Sequence, residues 1–197
     1  MFNLPNSITL ARIALVVVFT VALSLEMSGI RLAGISGNVI ALYAFVLAAV
    51  SDWLDGYLAR KLGMVTTFGK LIDPLADKIL VSAAFIFLTT TGQCPFWVTA
   101  LIICREFLVT GLRQIAQDKG VIMAADWTGK WKTAFQLAFC TQCLIVIAYG
   151  SCACQPFAFF TQGVSGEYTY QITLWGSVLL TVWSGLHYCI QSWKFLR

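Results

Sequence analysis

Six long apolar stretches divide the chain. They run Ile8–Met27, Gly34–Ala49, Leu71–Thr91, Phe96–Leu112, Ala134–Gly150 and Ile172–Ile190. Each is close to the ~20 residues that a helix needs to cross a ~30 Å hydrocarbon layer. None alternates with the period of two that a membrane β-barrel strand requires. The pattern predicts an all-α, polytopic membrane protein with six transmembrane helices, folded as a single domain over residues 1–197. The first apolar stretch runs past signal-peptide length and lacks a small-x-small cleavage pattern, so it is expected to remain as a helix.

Polar residues interrupt this pattern unevenly. Two polar connections, Lys61–Phe68 and Gln114–Lys132, fall on one side of the predicted bundle. The longest connection on the other side, Ser151–Tyr170, carries little charge and holds the breakers Pro156, Gly163 and Gly166. With the N-terminus inside, every Lys and Arg except Arg31 lies on the cytoplasmic side. Basic residues favour that side, so both termini are expected in the cytoplasm.

Composition agrees with a membrane solvent. Of 197 residues, 59% are hydrophobic and 11% charged, with mean hydropathy +0.81. A soluble domain carries about 25% charged residues. The net charge of +4 then reads as a topology signal and as attraction to anionic membrane lipid, with no nucleic acid implied. The seven cysteines form no zinc pattern. Cys140 and Cys143 fall inside a predicted helix, where packing is the expected role.

Against this background one stretch is anomalous. "SDWLDGYLARKLGMVTTFGKLIDPLADKI" holds Asp52, Asp55, Asp73 and Asp77. Asp52 and Asp55 sit about 60° apart near the end of the second helix, and Asp73 and Asp77 share a face at the start of the third. A carboxylate facing lipid costs ~2.5–3.5 kcal/mol at a helix centre, so the set must face water or the bundle interior. Helix capping accounts for Asp73, which precedes Pro74, but not for Asp52 and Asp55. Clustered carboxylates suit hard divalent cations such as Mg²⁺ or Mn²⁺. Four are enough for two ions, an arrangement suited to displacement at phosphorus.

Asp52-x-x-Asp55-Gly56-x-x-Ala59-Arg60, eight further residues, then Gly69-x-x-x-Asp73-x-x-x-Asp77 resembles the full signature of the CDP-alcohol phosphatidyltransferases. The six-helix layout resembles that family over nearly the whole chain. The resemblance implies a CDP-lipid donor whose diphosphate is bound through two metal ions. Asp52, Asp55, Asp73 and Asp77 are then metal ligands, with Asp77 also the general base. Gly56, Ala59 and Gly69 leave room for the nucleotide, and Arg60 pairs with phosphate. Thr66 is a weaker candidate for a hydrogen bond to the donor. A homodimer is likewise implied by the resemblance alone.

The signature names the donor and leaves the acceptor open. Arg105 and Glu106 interrupt the fourth apolar stretch, and an intramembrane charge points to function. Arg113 follows eight residues on, and Lys130 and Lys132 lie beyond the next connection. These cations suit a phosphorylated acceptor. They also suit pairing between helices and anchoring at the cytoplasmic surface. "NLPNSITLARI", "REFLVTGLRQ" and "GKWKT" resemble the bacterial branch of the family that joins CDP-diacylglycerol to sn-glycerol 3-phosphate in the inner (cytoplasmic) membrane. On that resemblance Asn6 and Thr9 help close the nucleotide side. Arg12 either joins them or snorkels to the interface. Inositol phosphate, serine and phosphatidylglycerol are the alternative acceptors. An intramembrane prenyltransferase fits poorly, because the aspartates form one compact set. A cation transporter fits poorly too, because no internal repeat is visible.

Overall fold

The computed structural model describes residues 4–31, 34–62, 67–119, 127–149 and 163–196, with side chains described for 10–31, 34–51, 78–117, 119, 127–149 and 163–192. Six helices account for nearly all of them: α1 Leu4–Met27, α2 Gly37–Leu62, α3 Thr67–Thr90, α4 Phe96–Asp118, α5 Trp127–Tyr149 and α6 Gly163–Leu196. The described residues contain no strand.

Each helix runs past the apolar stretch that marks it. α5 starts at Trp127 and takes Gly129–Thr133 into its first turns. α4 continues past Arg113 to Asp118. α6 begins at Gly163, so part of the expected Ser151–Tyr170 connection is helical. Hydropathy marks where a helix meets apolar surroundings. Backbone hydrogen bonding carries it on through polar turns at either end.

Among the described residues, two segments, Leu10–Met27 and Trp127–Tyr149, are long and apolar enough by themselves to cross a membrane. Gly37–Ser51 and Lys78–Thr90 are shorter apolar segments of helices whose other ends hold the aspartate stretch.

Packing follows small residues and aromatic rings. α1 lies against α2 and α3, while α5 lies against α2, α3 and α6. Ala22 on α1 and Ala41, Ala44 and Ala48 on α2 are buried. A Cβ on Gly37 would lie 2.3 Å from the Ala22 carbonyl oxygen, so only glycine fits this crossing. The Gly37 N–H donates to Glu26 Oε2 at 2.6 Å, which ties the α1–α2 connection. Deeper in, Phe85 stacks on Phe139 with ring centroids 5.7 Å apart. Cys140 and Cys143 are buried free thiols in this core, as packing residues should be.

Polarity is distributed inside out. Val17, Val21, Leu47, Ile86, Leu179, Trp183 and Ile190 are exposed, whereas Arg12, Lys132, Gln136, Thr181 and Ser184 are buried. A water-soluble monomer rarely exposes so many large apolar side chains while burying charged ones. The same arrangement suits a bundle in lipid, where helices associate through small residues and internal hydrogen bonds. One such bond runs from Gln136 Nε2 on α5 to Thr181 Oγ1 on α6 at 3.2 Å.

Candidate active site

The aspartate signature occupies the ends of two helices that follow one another in the chain. Asp52, Asp55, Gly56, Ala59 and Arg60 fall in the last turns of α2. Gly69, Asp73 and Asp77 fall in the first turns of α3. Their side chains lie outside the described residues, as do those of Asn6 and Thr9 on α1; Thr66 lies outside them altogether.

Described side chains resume at Lys78, next in sequence to Asp77, and they lead directly into a buried polar group. Lys78 Nζ donates to Thr110 Oγ1 on α4. Thr110 donates in turn to the Glu106 carbonyl at 2.6 Å, one helical turn back. Glu106 is the hub of this group. Its Oε1 accepts from Arg105 Nη1 at 3.1 Å and also from Lys132 Nζ on α5. All three side chains are strongly buried, with 10% of Arg105, 14% of Glu106 and 5% of Lys132 exposed. Charges so withdrawn from water must be paired, and Glu106 supplies that pairing from the centre.

Arg113 completes the group from two turns further along α4. Its Nη2 donates to the Tyr188 hydroxyl on α6. Its guanidinium carbon lies 4.9 Å from the centre of the Tyr188 ring, and that of Arg105 lies 5.8 Å from the same centre. Arg105 and Lys132 thus share the Glu106 carboxylate, while Lys78 reaches Thr110 and Arg113 reaches Tyr188 in the same described group. The Nε atoms of Arg105 and Arg113 are buried without a hydrogen-bond partner among the described residues.

Arg105, Arg113 and Lys132 thus come together from α4 and α5. Lys130 does not join them: it is exposed, with its ammonium 5.2 Å from the centre of the Trp127 ring. Two residues apart on a helix, Lys130 and Lys132 point to different sides. Arg12 is 2% exposed, inside the bundle rather than at its surface. Sequence reading missed Tyr188, whose contact with Arg113 spans 75 residues of chain. A tyrosine in an apolar helix carries no local mark of such a partner.

The model of the CDP-alcohol phosphatidyltransferase family matches residues 2–183 of this chain. The chain belongs to that family. The match takes in both aspartate-bearing helix ends and the basic group, up to Trp183 on α6. Among curated relatives, the CDP-diacylglycerol–glycerol-3-phosphate 3-phosphatidyltransferase of Bacillus subtilis is 40% identical over 206 aligned residues, covering 100% of this chain and 98% of its own. The enzyme of the same name from Rickettsia bellii is 34% identical over 94% of this chain and 93% of its own. That of Mycoplasma genitalium is 34% identical over 79% of this chain and 64% of its own. The family resemblance carried by the aspartate signature is thereby established across nearly the whole chain.

Proposed function

We propose that this phosphatidyltransferase moves the phosphatidyl group of CDP-diacylglycerol to sn-glycerol 3-phosphate, releasing CMP and phosphatidylglycerophosphate. The observation that carries the choice of acceptor is the buried group in which Arg105 and Lys132 share Glu106 and Arg113 reaches Tyr188, beside the helix that bears Asp77. A neutral amino alcohol would leave that positive charge unanswered, whereas a phosphate monoester answers it. The full-length relative from Bacillus subtilis carries the name of this reaction.

The chemistry follows from where the groups lie in the chain. The acceptor phosphate binds Arg105 and Arg113, and its free hydroxyl is thereby directed toward the end of α3. Asp77 takes the hydroxyl proton as the oxygen bonds to the lipid-side phosphorus. The bond between that phosphorus and the bridging oxygen of the diphosphate breaks, and CMP leaves. Asp52, Asp55, Asp73 and Asp77 would hold two divalent cations, Mg²⁺ or Mn²⁺, a fit supported by a donor set made only of carboxylate oxygens. Such ions supply charge neutralisation at the diphosphate and at the departing phosphate. Gly56, Ala59, Gly69 and Arg60, with Asn6, Thr9 and Thr66, line the donor side on this reading.

The same proposal includes the setting. Six spans, both termini in the cytoplasm and an active site facing the cytoplasm of a bacterial inner membrane are supported by the apolar outer faces and the one-sided basic residues. A single domain fits helices that pack in one continuous series. A homodimer rests on the family resemblance. The deciding experiment offers purified protein CDP-diacylglycerol with each candidate acceptor and measures CMP. Release with glycerol 3-phosphate supports the proposal. Release with serine, inositol phosphate or phosphatidylglycerol in its place overturns it.

A further inference from the structure

Tyr188 is 1% exposed and is among the largest fully buried side chains described. It receives two guanidinium groups that start about 12 Å apart along α4, the rise of eight helical residues. Both groups nevertheless converge on its ring, at 4.9 and 5.8 Å. Two like charges do not approach each other unaided. The negative face of an aromatic ring attracts each of them, and the Tyr188 hydroxyl accepts a hydrogen bond from one. Gly185, three residues earlier and on the same side of α6, completes the seat. A Cβ there would lie 3.3 Å from Arg105 Cγ, closer than an unstrained contact, so its absence lets the Arg105 stem lie against α6.

The remaining hydrogen-bonding capacity of these arginines indicates what the seat is for. Arg105 commits Nη1 to Glu106, and Arg113 commits Nη2 to Tyr188. The Nε atom of each stays buried without a partner among the described residues. A buried N–H left unsatisfied is costly, so both donors are held ready for an acceptor that arrives from outside the protein. A phosphate oxygen is such an acceptor, and guanidinium edges match phosphate geometry.

We infer that Tyr188, with Gly185 beside it, is a positioning residue that fixes Arg105 and Arg113 to receive the phosphate of the acceptor. The inference rests on the acceptor reading above and assigns α6 a part in acceptor selection.

The test uses full-length protein in detergent micelles. Tyr188→Phe keeps the ring and removes the hydroxyl, so folding is expected to survive and the thermal midpoint to stay near wild type. The KM for glycerol 3-phosphate should rise about tenfold, the effect of losing one hydrogen bond to a charged group. The KM for CDP-diacylglycerol should stay put, and kcat should fall less than KM rises. Tyr188→Leu, which also loses the ring, should raise the acceptor KM further. A second arm needs no turnover: millimolar inorganic phosphate should raise the thermal midpoint of wild type and raise that of Tyr188→Phe less. Equal changes in both KM values, or an undiminished response to phosphate, would overturn the role of Tyr188. Wild type that releases no CMP with glycerol 3-phosphate would overturn the acceptor reading instead, and the phosphate arm would still decide on Tyr188. Wild type that responds to neither phosphate nor glycerol 3-phosphate overturns both.

Discussion

Lys132 on α5 donates its ammonium to Glu106 on α4, the same carboxylate oxygen that accepts from Arg105 at 3.1 Å. One acid thus restrains two bases on two helices. Removing Glu106 leaves both bases buried and uncompensated. Loss of one partner from a buried ion pair costs about 3 kcal/mol or more. Glu106→Ala should therefore lower the thermal midpoint of the detergent-solubilised protein clearly. Glu106→Gln combined with Lys132→Met should recover part of the loss, because Lys132 is then no longer left unpaired while Arg105 still is. A double variant no more stable than Glu106→Ala would show that the pairing does not hold α4 and α5.

Two glycines give a sharper comparison for packing. A Cβ on Gly176 of α6 would fall 2.4 Å from Phe135 Cδ1 on α5. A phenyl ring wedged between helices has little room to yield, so Gly176→Ala should cost about 1–3 kcal/mol by overpacking. Gly111 on α4 has nothing within 4 Å of such a Cβ. Gly111→Ala should be neutral or stabilising by roughly 0.5–1 kcal/mol, since alanine favours the helix. Thermal midpoints of the two variants, measured side by side, check the close approach of α5 and α6.

The basic residues should separate by burial rather than by charge. Arg105→Ala removes a partly open donor from the enclosed group and should raise the KM for glycerol 3-phosphate at least tenfold, leaving that for CDP-diacylglycerol largely unchanged. Lys130→Ala removes an exposed ammonium beside Trp127 and should change either KM less than about twofold, within the small energy of an exposed cation–π contact. Initial rates of CMP release across both substrate concentrations distinguish them. A larger effect from Lys130 would place the acceptor at the surface of α5.

Much of this arrangement is legible in the chain. The apolar stretches locate the six described helices, and the spacing of Asp52, Asp55, Asp73 and Asp77 carries the family signature that the family match then shows. Arg105 stands out for a related reason, as a charge within an apolar run. Lys132 and Lys130 are indistinguishable in sequence, being neighbours of the same type. Only the rotation of α5 against α4 sets one on Glu106 and the other on Trp127. Tyr188 is legible least of all. Its role depends on two arginines of another helix, and hydropathy treats it as one more aromatic residue of α6. Helix starts are similarly obscured, because the first turns of α5 and α6 are polar and resemble connections.

Asp77 permits the most direct test of the chemistry. It lies one residue before Lys78, whose ammonium donates to Thr110 and so ties α3 to α4 at that level. Asparagine has nearly the same size as aspartate and leaves Lys78 in place, so Asp77→Asn should insert and fold with little change in thermal midpoint. It cannot accept the acceptor's proton as a carboxylate does, and it weakens any divalent cation held there. General-base catalysis alone is worth about 10²–10⁴-fold. CMP release should therefore fall at least 100-fold at saturating substrates, on the order of the lower bound of that range. Removing divalent cations from wild type with a chelator should silence it equally, and added Mg²⁺ or Mn²⁺ should restore wild type while leaving Asp77→Asn inactive. A folded Asp77→Asn protein with near-normal turnover would remove Asp77 as the base, and wild-type activity that survives chelation would remove the metal ions from the reaction.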